Sequence, residues 1–352
     1  VRKLIARGDE VHALARSDTS AAKLEAMGAH VVRGTLIDKE SMRAGMRGCD
    51  VVYHVAGWYE FGIQDQAKMA LINVEGTRNV LELAYELGVP KIIHTSSVVV
   101  FGDTRGRLVD ENFQQVGASL GVYQRTKWQA HYEVAIPLIE KGAPIVIVMP
   151  GAVYGPQDHS DVAFLMQRFY EGKLPVLPGS DMMACYVHVE DIAEGILLAA
   201  DKGKIGESYI LAGPALTMME TATLWSEVTG RRPPLLGIPG KLLQPLGPII
   251  GALGRIVTLP RQINQETIRA LGTTYIARAD KAREELGWEP RPLREGFRDT
   301  FEWIAETVPP LSPPTKIQQR RKLAALALAT AIVILAVWLF SQQHRQTQSE
   351  AN

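Results

Sequence analysis

The chain has 352 residues, enough for one large domain or two modest ones with an ample core. Lysine plus arginine and aspartate plus glutamate both number 38, so no overall charge argues for nucleic acid or an acidic substrate. Its two cysteines, Cys49 and Cys185, lie far apart in no metal or redox spacing, which favours a reducing compartment and argues against a disulfide framework.

Val1, Leu4 and Ile5 mark one face of a short opening helix ended by Gly8, with no signal-peptide pattern before it. A truncated start and a misplaced one are both open. "EVHALA" then reads as a strand, "AAKLEAMG" as a helix, "HVVRG" as a strand and "KESMRAGM" as a helix. "DVVYHVAG" and "KIIHTSS" are apolar strands on either side of a helix expected near 66–87. "YQRTKWQAHYEVAIPLIEKG" continues as a helix and "PIVIVMP" as a strand. Buried apolar strands joined by helices describe an α/β, doubly wound parallel sheet over residues 1–150. Shorter elements and most of the prolines follow over 151–306, which predicts a smaller substrate lobe.

The C-terminal part breaks the pattern. Residues 307–322 are a Pro-rich and then basic linker, and 323–340, "LAALALATAIVILAVWLF", carry no charge, glycine or proline. At ~1.5 Å per residue that run is close to the ~30 Å of a hydrocarbon core, which predicts a transmembrane helix. Lys316, Arg320, Arg321 and Lys322 precede it, so the positive-inside rule places the large domain in the cytoplasm and the polar tail 341–352 across the membrane. The expectation is a single-pass C-terminal anchor.

Tyr123 and Lys127, in "GVYQRTKWQ", are four apart on an expected helix and share a face. A phenol is a poor base at neutral pH, but a nearby ammonium stabilises the phenolate and makes the pair an acid/base couple for an alcohol or ketone. An ordinary surface pair is the plain alternative. Ser97 ends the apolar strand "KIIHTSS" at the carboxyl edge, where open parallel sheets bind ligands, and can donate to a reacting carbonyl oxygen. The neighbouring Ser96 reads as a turn cap. Asn73 stands among apolar residues in "INVEGTRNV", either as a satisfied core amide or as a functional one.

Taken in order, the hydroxyl-bearing strand end, Tyr-x-x-x-Lys, "DVVYHVAG", "NVEGTRNV", "PGAVYGP", "YVHVEDIA" and "LGWEP" resemble the extended short-chain dehydrogenases/reductases, the NAD-dependent epimerase/dehydratase family. The resemblance covers roughly 1–306 and implies a Rossmann-like NAD(P)-binding domain over 1–150. It implies Ser97, Tyr123 and Lys127 as the catalytic residues, with Asn73 supporting a proton relay. It also implies that Arg16, Leu36, His54, Val55, Ala56, Gly57, Pro150 and Val153 line the cofactor together with Tyr123 and Lys127. No metal is implied. In this family a first strand and a Gly-x-x-Gly-x-x-Gly turn stand immediately before a helix like "VRKLIARG". Neither is in the sequence, so this polypeptide is expected to bind the cofactor weakly.

Arg16 after "HALA" favours the 2′-phosphate of NADP over NAD, whereas Thr35 stands where many relatives carry an adenine-contacting Asp. Val98, Val99 and Val100 follow Ser97 without the acidic pair usual in dehydratases, and Met149 replaces an Arg common in nucleotide-sugar enzymes. The apolar stretch 233–260 looks like the corresponding region of 3β-hydroxysteroid dehydrogenase and dihydroflavonol-reductase-like members. An apolar cover suits a sterol-, lipid- or flavonoid-like substrate, although core packing or a dimer face explains it too. The sequence therefore reads as a membrane-anchored NAD(P)-dependent oxidoreductase acting on a secondary alcohol or ketone. A nucleotide-sugar epimerase and a non-catalytic cofactor sensor or scaffold are the alternatives. A homodimer is compatible with the resemblance; a nucleic-acid partner is not expected.

Overall fold

The computed structural model describes residues 1–60, 65–114, 121–253 and 264–307. Its opening helix, α1 (Arg2–Arg7), ends at Gly8, whose φ of 90° closes the helix in the left-handed region open to glycine. Strand β1 (His12–Ala15) pairs in parallel with β2 (His30–Arg33) across helix α2 (Asp18–Ala26). Helix α3 (Lys39–Met46) starts where the Asp38 side chain accepts the Ser41 N–H, and buries Met42 and Met46.

A second parallel sheet carries the centre of the molecule. Its order is β3 (Val51–His54), β4 (Lys91–Thr95), β5 (Ile145–Pro150) and β9 (Ser208–Leu211), the last returning from the second half of the chain. All six residues of β5 are buried, as a strand covered on both faces requires. On one face lies a long helical run, α4 (Gln66–Ala70), a π-turn over Leu71–Glu75 and α5 (Gly76–Glu86). Beside it runs α6 (Val122–Gln129), a second π-turn over Ala130–Ala135 and α7 (Ile136–Glu140). A helix that precedes β9, Val189–Lys202, covers β4 and β5. The two sheets share one core but do not pair with each other among the described residues.

The smaller lobe is built on β8 (Met183–His188), which pairs in parallel with β6 (Ala152–Tyr154) and β12 (Thr274–Tyr275) and antiparallel with β10 (Ala215–Thr217). A short pair, β7 (Val176–Pro178) and β11 (Leu236–Ile238), lies beside it. Its core is aromatic: Tyr154, Phe169, Tyr186, Trp225, Phe297 and Phe301. Two glycines let strands approach β8 closely. A Cβ at Gly151 would sit 2.2 Å from the Cys185 carbonyl oxygen, and one at Gly213 would sit 2.1 Å from that of Tyr186.

The expectation of a C-terminal transmembrane helix, and with it of a membrane-anchored chain, is corrected here. Among the described residues no helix is long and apolar enough to cross a membrane. The last described helix, Leu293–Thr307, buries Phe297, Phe301 and Ile304 but exposes Arg294, Glu295, Arg298 and Glu302, the pattern of a helix laid on a core. The run 323–340, with the linker and tail over 308–352, lies outside the described residues, as do residues 254–260 of the apolar stretch.

Candidate active site

Parallel pairing brings the carboxyl ends of the strands to common edges. Arg16 follows β1 and is exposed; Leu36, just beyond β2, is half-buried. Leu36 packs where Gly76 has no side chain, since a Cβ there would lie 3.0 Å from Leu36 Cβ, and its carbonyl accepts from Asn79 Nδ2 at 2.9 Å. Val55, Ala56 and Gly57, just past β3, are exposed, Val55 by 56%. An exposed apolar residue beside two small ones leaves an open, weakly polar edge. Pro150 ends β5 inside the core, whereas Val153 belongs to β6 and pairs with Val187 in the lobe.

Ser97, Tyr123 and Lys127 converge at this edge. Helical spacing puts Tyr123 and Lys127 on one face of α6. The Tyr123 hydroxyl is hydrogen-bonded to the Ser97 side chain. Lys127 Nζ donates to the Thr95 carbonyl at 2.8 Å, two residues before Ser97. All three side-chain residues keep only 8–9% exposure. Burial pushes the Tyr123 phenol up to about 12, partly offset by the Ser97 hydrogen bond. Burial pulls the Lys127 ammonium down to about 8. At neutral pH the phenol therefore holds its proton beside a charged ammonium.

The two serines divide their roles differently from the sequence reading. Ser97 caps a short 3₁₀ turn over Val98–Phe101 by accepting the Val99 N–H at 3.3 Å, besides meeting Tyr123. Ser96, expected as a cap, instead lies 2.8 Å from His131 Nδ1. Alternation along the strand end turns Ser96 toward the helix layer.

Asn73 is buried in the first π-turn. Its Oδ1 accepts the Trp58 N–H at 2.6 Å, and its Nδ2 donates to the Trp58 carbonyl and to Thr126 Oγ1, both at 3.0 Å. Thr126 Oγ1 in turn donates to the Tyr123 carbonyl at 2.9 Å. Asn73 thus ties the loop after β3 to the Tyr123 helix. His54 is not exposed with the rest of its stretch: its Nε2 lies 2.8 Å from Thr77 Oγ1, and its ring stacks on His94 with centroids 5.4 Å apart. Neither ring nitrogen of buried His94 has a hydrogen-bond partner among the described residues. Sequence reasoning missed Trp58, Thr77, His94, Thr126 and His131. Only Thr77 left a signal, four residues after Asn73. It also missed Tyr59, whose ring stands edge-on to Tyr123 at 4.9 Å between centroids.

The residues present fit the nicotinamide end of the dinucleotide that the family resemblance implies. Gly57 has no side chain, and a Cβ there would come within 3.6 Å of Asn73 Oδ1, so the backbone lies open beside Asn73 and the Tyr123–Lys127 face. Val55 to Gly57, Tyr123 and Lys127 would hold that end, and Arg16 and Leu36 the adenine end.

Residues 1–212 match the family described as NAD dependent epimerase/dehydratase. Sterol demethylase protein B of Methylococcus capsulatus is 30% identical over 313 residues, covering 87% of this chain and 94% of that protein. The 4-hydroxy-2-methyl-3-oxo-4-farnesyl-3,4-dihydroquinoline-1-oxide ketoreductase of Stigmatella aurantiaca is 31% identical over 304 residues, covering 85% and 90%. The crystal structure of gox2253 superposes with a TM-score of 0.76 at 31% identity, covering 88% of this chain and 94% of that one. A Thermus thermophilus UDP-glucose 4-epimerase in complex with NAD superposes with a TM-score of 0.67 at 23% identity over 87% and 94%, a likeness of fold alone.

Proposed function

Because the chain belongs to the NAD-dependent epimerase/dehydratase family, we propose that it moves a hydride between nicotinamide and the carbon of a secondary alcohol or ketone in an apolar substrate. It is an NAD(P)-dependent short-chain dehydrogenase/reductase. The observation that carries the reading is the meeting of Ser97, Tyr123 and Lys127 at one strand edge. When bound, the nicotinamide supplies or takes the hydride. In the reductive direction Ser97 orients the carbonyl oxygen, and Tyr123 passes its phenolic proton to that oxygen as negative charge develops. Lys127, charged below about pH 8, stabilises the phenolate left behind.

Two features support an apolar substrate, and a third argues against dehydration. Leu235, Leu236, Leu242 and Ile249 are exposed on the lobe, Leu235 by 87%. Two relatives act, by name, on a sterol and on a farnesyl-bearing dihydroquinoline oxide. Val98 and Val100 are buried after Ser97, leaving no carboxyl group there for eliminating water. Exposed Arg16 supports NADP as the preferred cofactor.

The test is turnover of a bicyclic ketone such as trans-decalone by the natively expressed protein with NADPH and with NADH. Loss of reduced cofactor with formation of the alcohol is expected. Interconversion of UDP-glucose and UDP-galactose without net cofactor change would replace the reading by an epimerase. Cofactor binding without turnover of either class would leave a sensor.

A further inference from the structure

We propose that Thr77 and His54 are positioning residues for Asn73, holding the π-turn that aims its carboxamide into the site. This rests on the oxidoreductase reading above. The helical run from Gln66 to Glu86 winds as a π-turn over Leu71–Glu75. An extra residue in one turn rotates the side chains before it relative to those after it, and disturbs the usual pairing of a nearby carbonyl. Here Thr77 Oγ1 donates to the Asn73 carbonyl at 2.7 Å.

A hydroxyl has one proton, and Thr77 gives its proton to Asn73. His54 Nε2, 2.8 Å from the same oxygen, must then be the donor, which sets the His54 tautomer with its proton on Nε2. The ring stays neutral: burial first, and the Lys127 charge second, pull its pKa down to about 3. All three residues are buried, so each bond is made without competing water.

The chain of bonds begins on β3 and ends on the Asn73 backbone. From there the Asn73 side chain reaches the Trp58 N–H and carbonyl and Thr126. Trp58 lies just past β3, the strand that carries His54. The circuit therefore closes on itself and fixes the loop after β3, the Asn73 turn and the Tyr123 helix relative to one another. Loss of the Thr77 hydroxyl takes its donor from the Asn73 carbonyl and its acceptor from His54 Nε2, and frees the turn to rewind.

The experiment compares wild type, Thr77→Val and Thr77→Ser by steady-state reduction of trans-decalone and by hydrogen exchange at the Trp58 amide. Valine keeps the shape and removes the hydroxyl; serine keeps the hydroxyl. The expected result is a fall in kcat of about tenfold or more in Thr77→Val, with KM nearly unchanged. Trp58 exchange should also accelerate by about tenfold, and serine should restore both. A wild-type kcat in Thr77→Val overturns the inference whatever exchange does. A wild type inert toward the ketone rejects the oxidoreductase reading instead. In that event unchanged Trp58 exchange in Thr77→Val also overturns the positioning role, whereas acceleration reversed by serine upholds it.

Discussion

Lys127 donates to the carbonyl of Thr95 at 2.8 Å, and this one bond fastens the helix that carries Tyr123 to the end of the strand that leads into Ser97. The ammonium thus acts in two ways, anchoring the helix and setting the charge beside the phenol.

Tyr123→Phe removes the proton carrier and its hydrogen bond to Ser97, while the ring still packs with Met69 and Val122. Hydride turnover is expected to fall by roughly 10²–10⁴, with the folded circular-dichroism spectrum unchanged. Turnover within a factor of two of wild type would remove Tyr123 from the chemistry.

The Lys127 pKa, lowered to about 8 by burial, sets a pH limit. Ketone reduction should decline as pH rises through about 8, because the ammonium that stabilises the phenolate is lost. Stability moves the other way. Between pH 8 and the ordinary lysine value the unfolded chain binds more protons than the folded one, so stability rises with pH across that window. Lys127→Met should abolish the reductive limb while raising the denaturation midpoint at pH 7. A pH–rate profile and urea melts of the two proteins check both signs.

Three buried histidines are expected to make the protein acid-labile. Burial pulls His54 down to about 3, His131 down to about 4 and His94 well below the ordinary value, with Lys127 adding to each. Below the ordinary value near 6.5 the unfolded chain takes up protons that the folded chain refuses, so stability falls as pH drops. His54→Phe should reduce the proton uptake on unfolding near pH 5 by about one. Urea midpoints measured from pH 7 to 4.5 give that number directly.

Gly151→Ala should destabilise the junction of sheet and lobe. The added methyl would meet the Cys185 carbonyl, which is backbone and cannot swing aside. A loss of roughly 1–3 kcal/mol is expected from the forced shift, read as a lower melting temperature. Gly8→Asn, where a Cβ meets nothing within 4 Å, is the control, since asparagine tolerates a positive φ.

Much of this arrangement was legible beforehand because burial leaves a local imprint. "PIVIVMP" reads as a strand since both its faces are covered, and "KESMRAGM" reads as the helix it proves to be. Tyr123 and Lys127 were found through helical spacing. His54 was harder: its stretch does end at the open edge, but the pleat turns that side chain inward to Thr77. The π-turns escaped notice because a single added residue leaves the apolar pattern of a helix nearly intact. Hydropathy also suggested a membrane span over 323–340. No described helix has that character, and the last of them, Leu293–Thr307, buries one side and exposes charge on the other.

The most direct measurement is isotope transfer. The natively expressed protein is incubated with trans-decalone and nicotinamide cofactor carrying deuterium at the transferable position, and the product alcohol is weighed by mass spectrometry. One deuterium on the carbinol carbon, absent with Tyr123→Phe, is the expected result. Cofactor bound but no deuterium transferred to any secondary ketone tried would contradict the central claim.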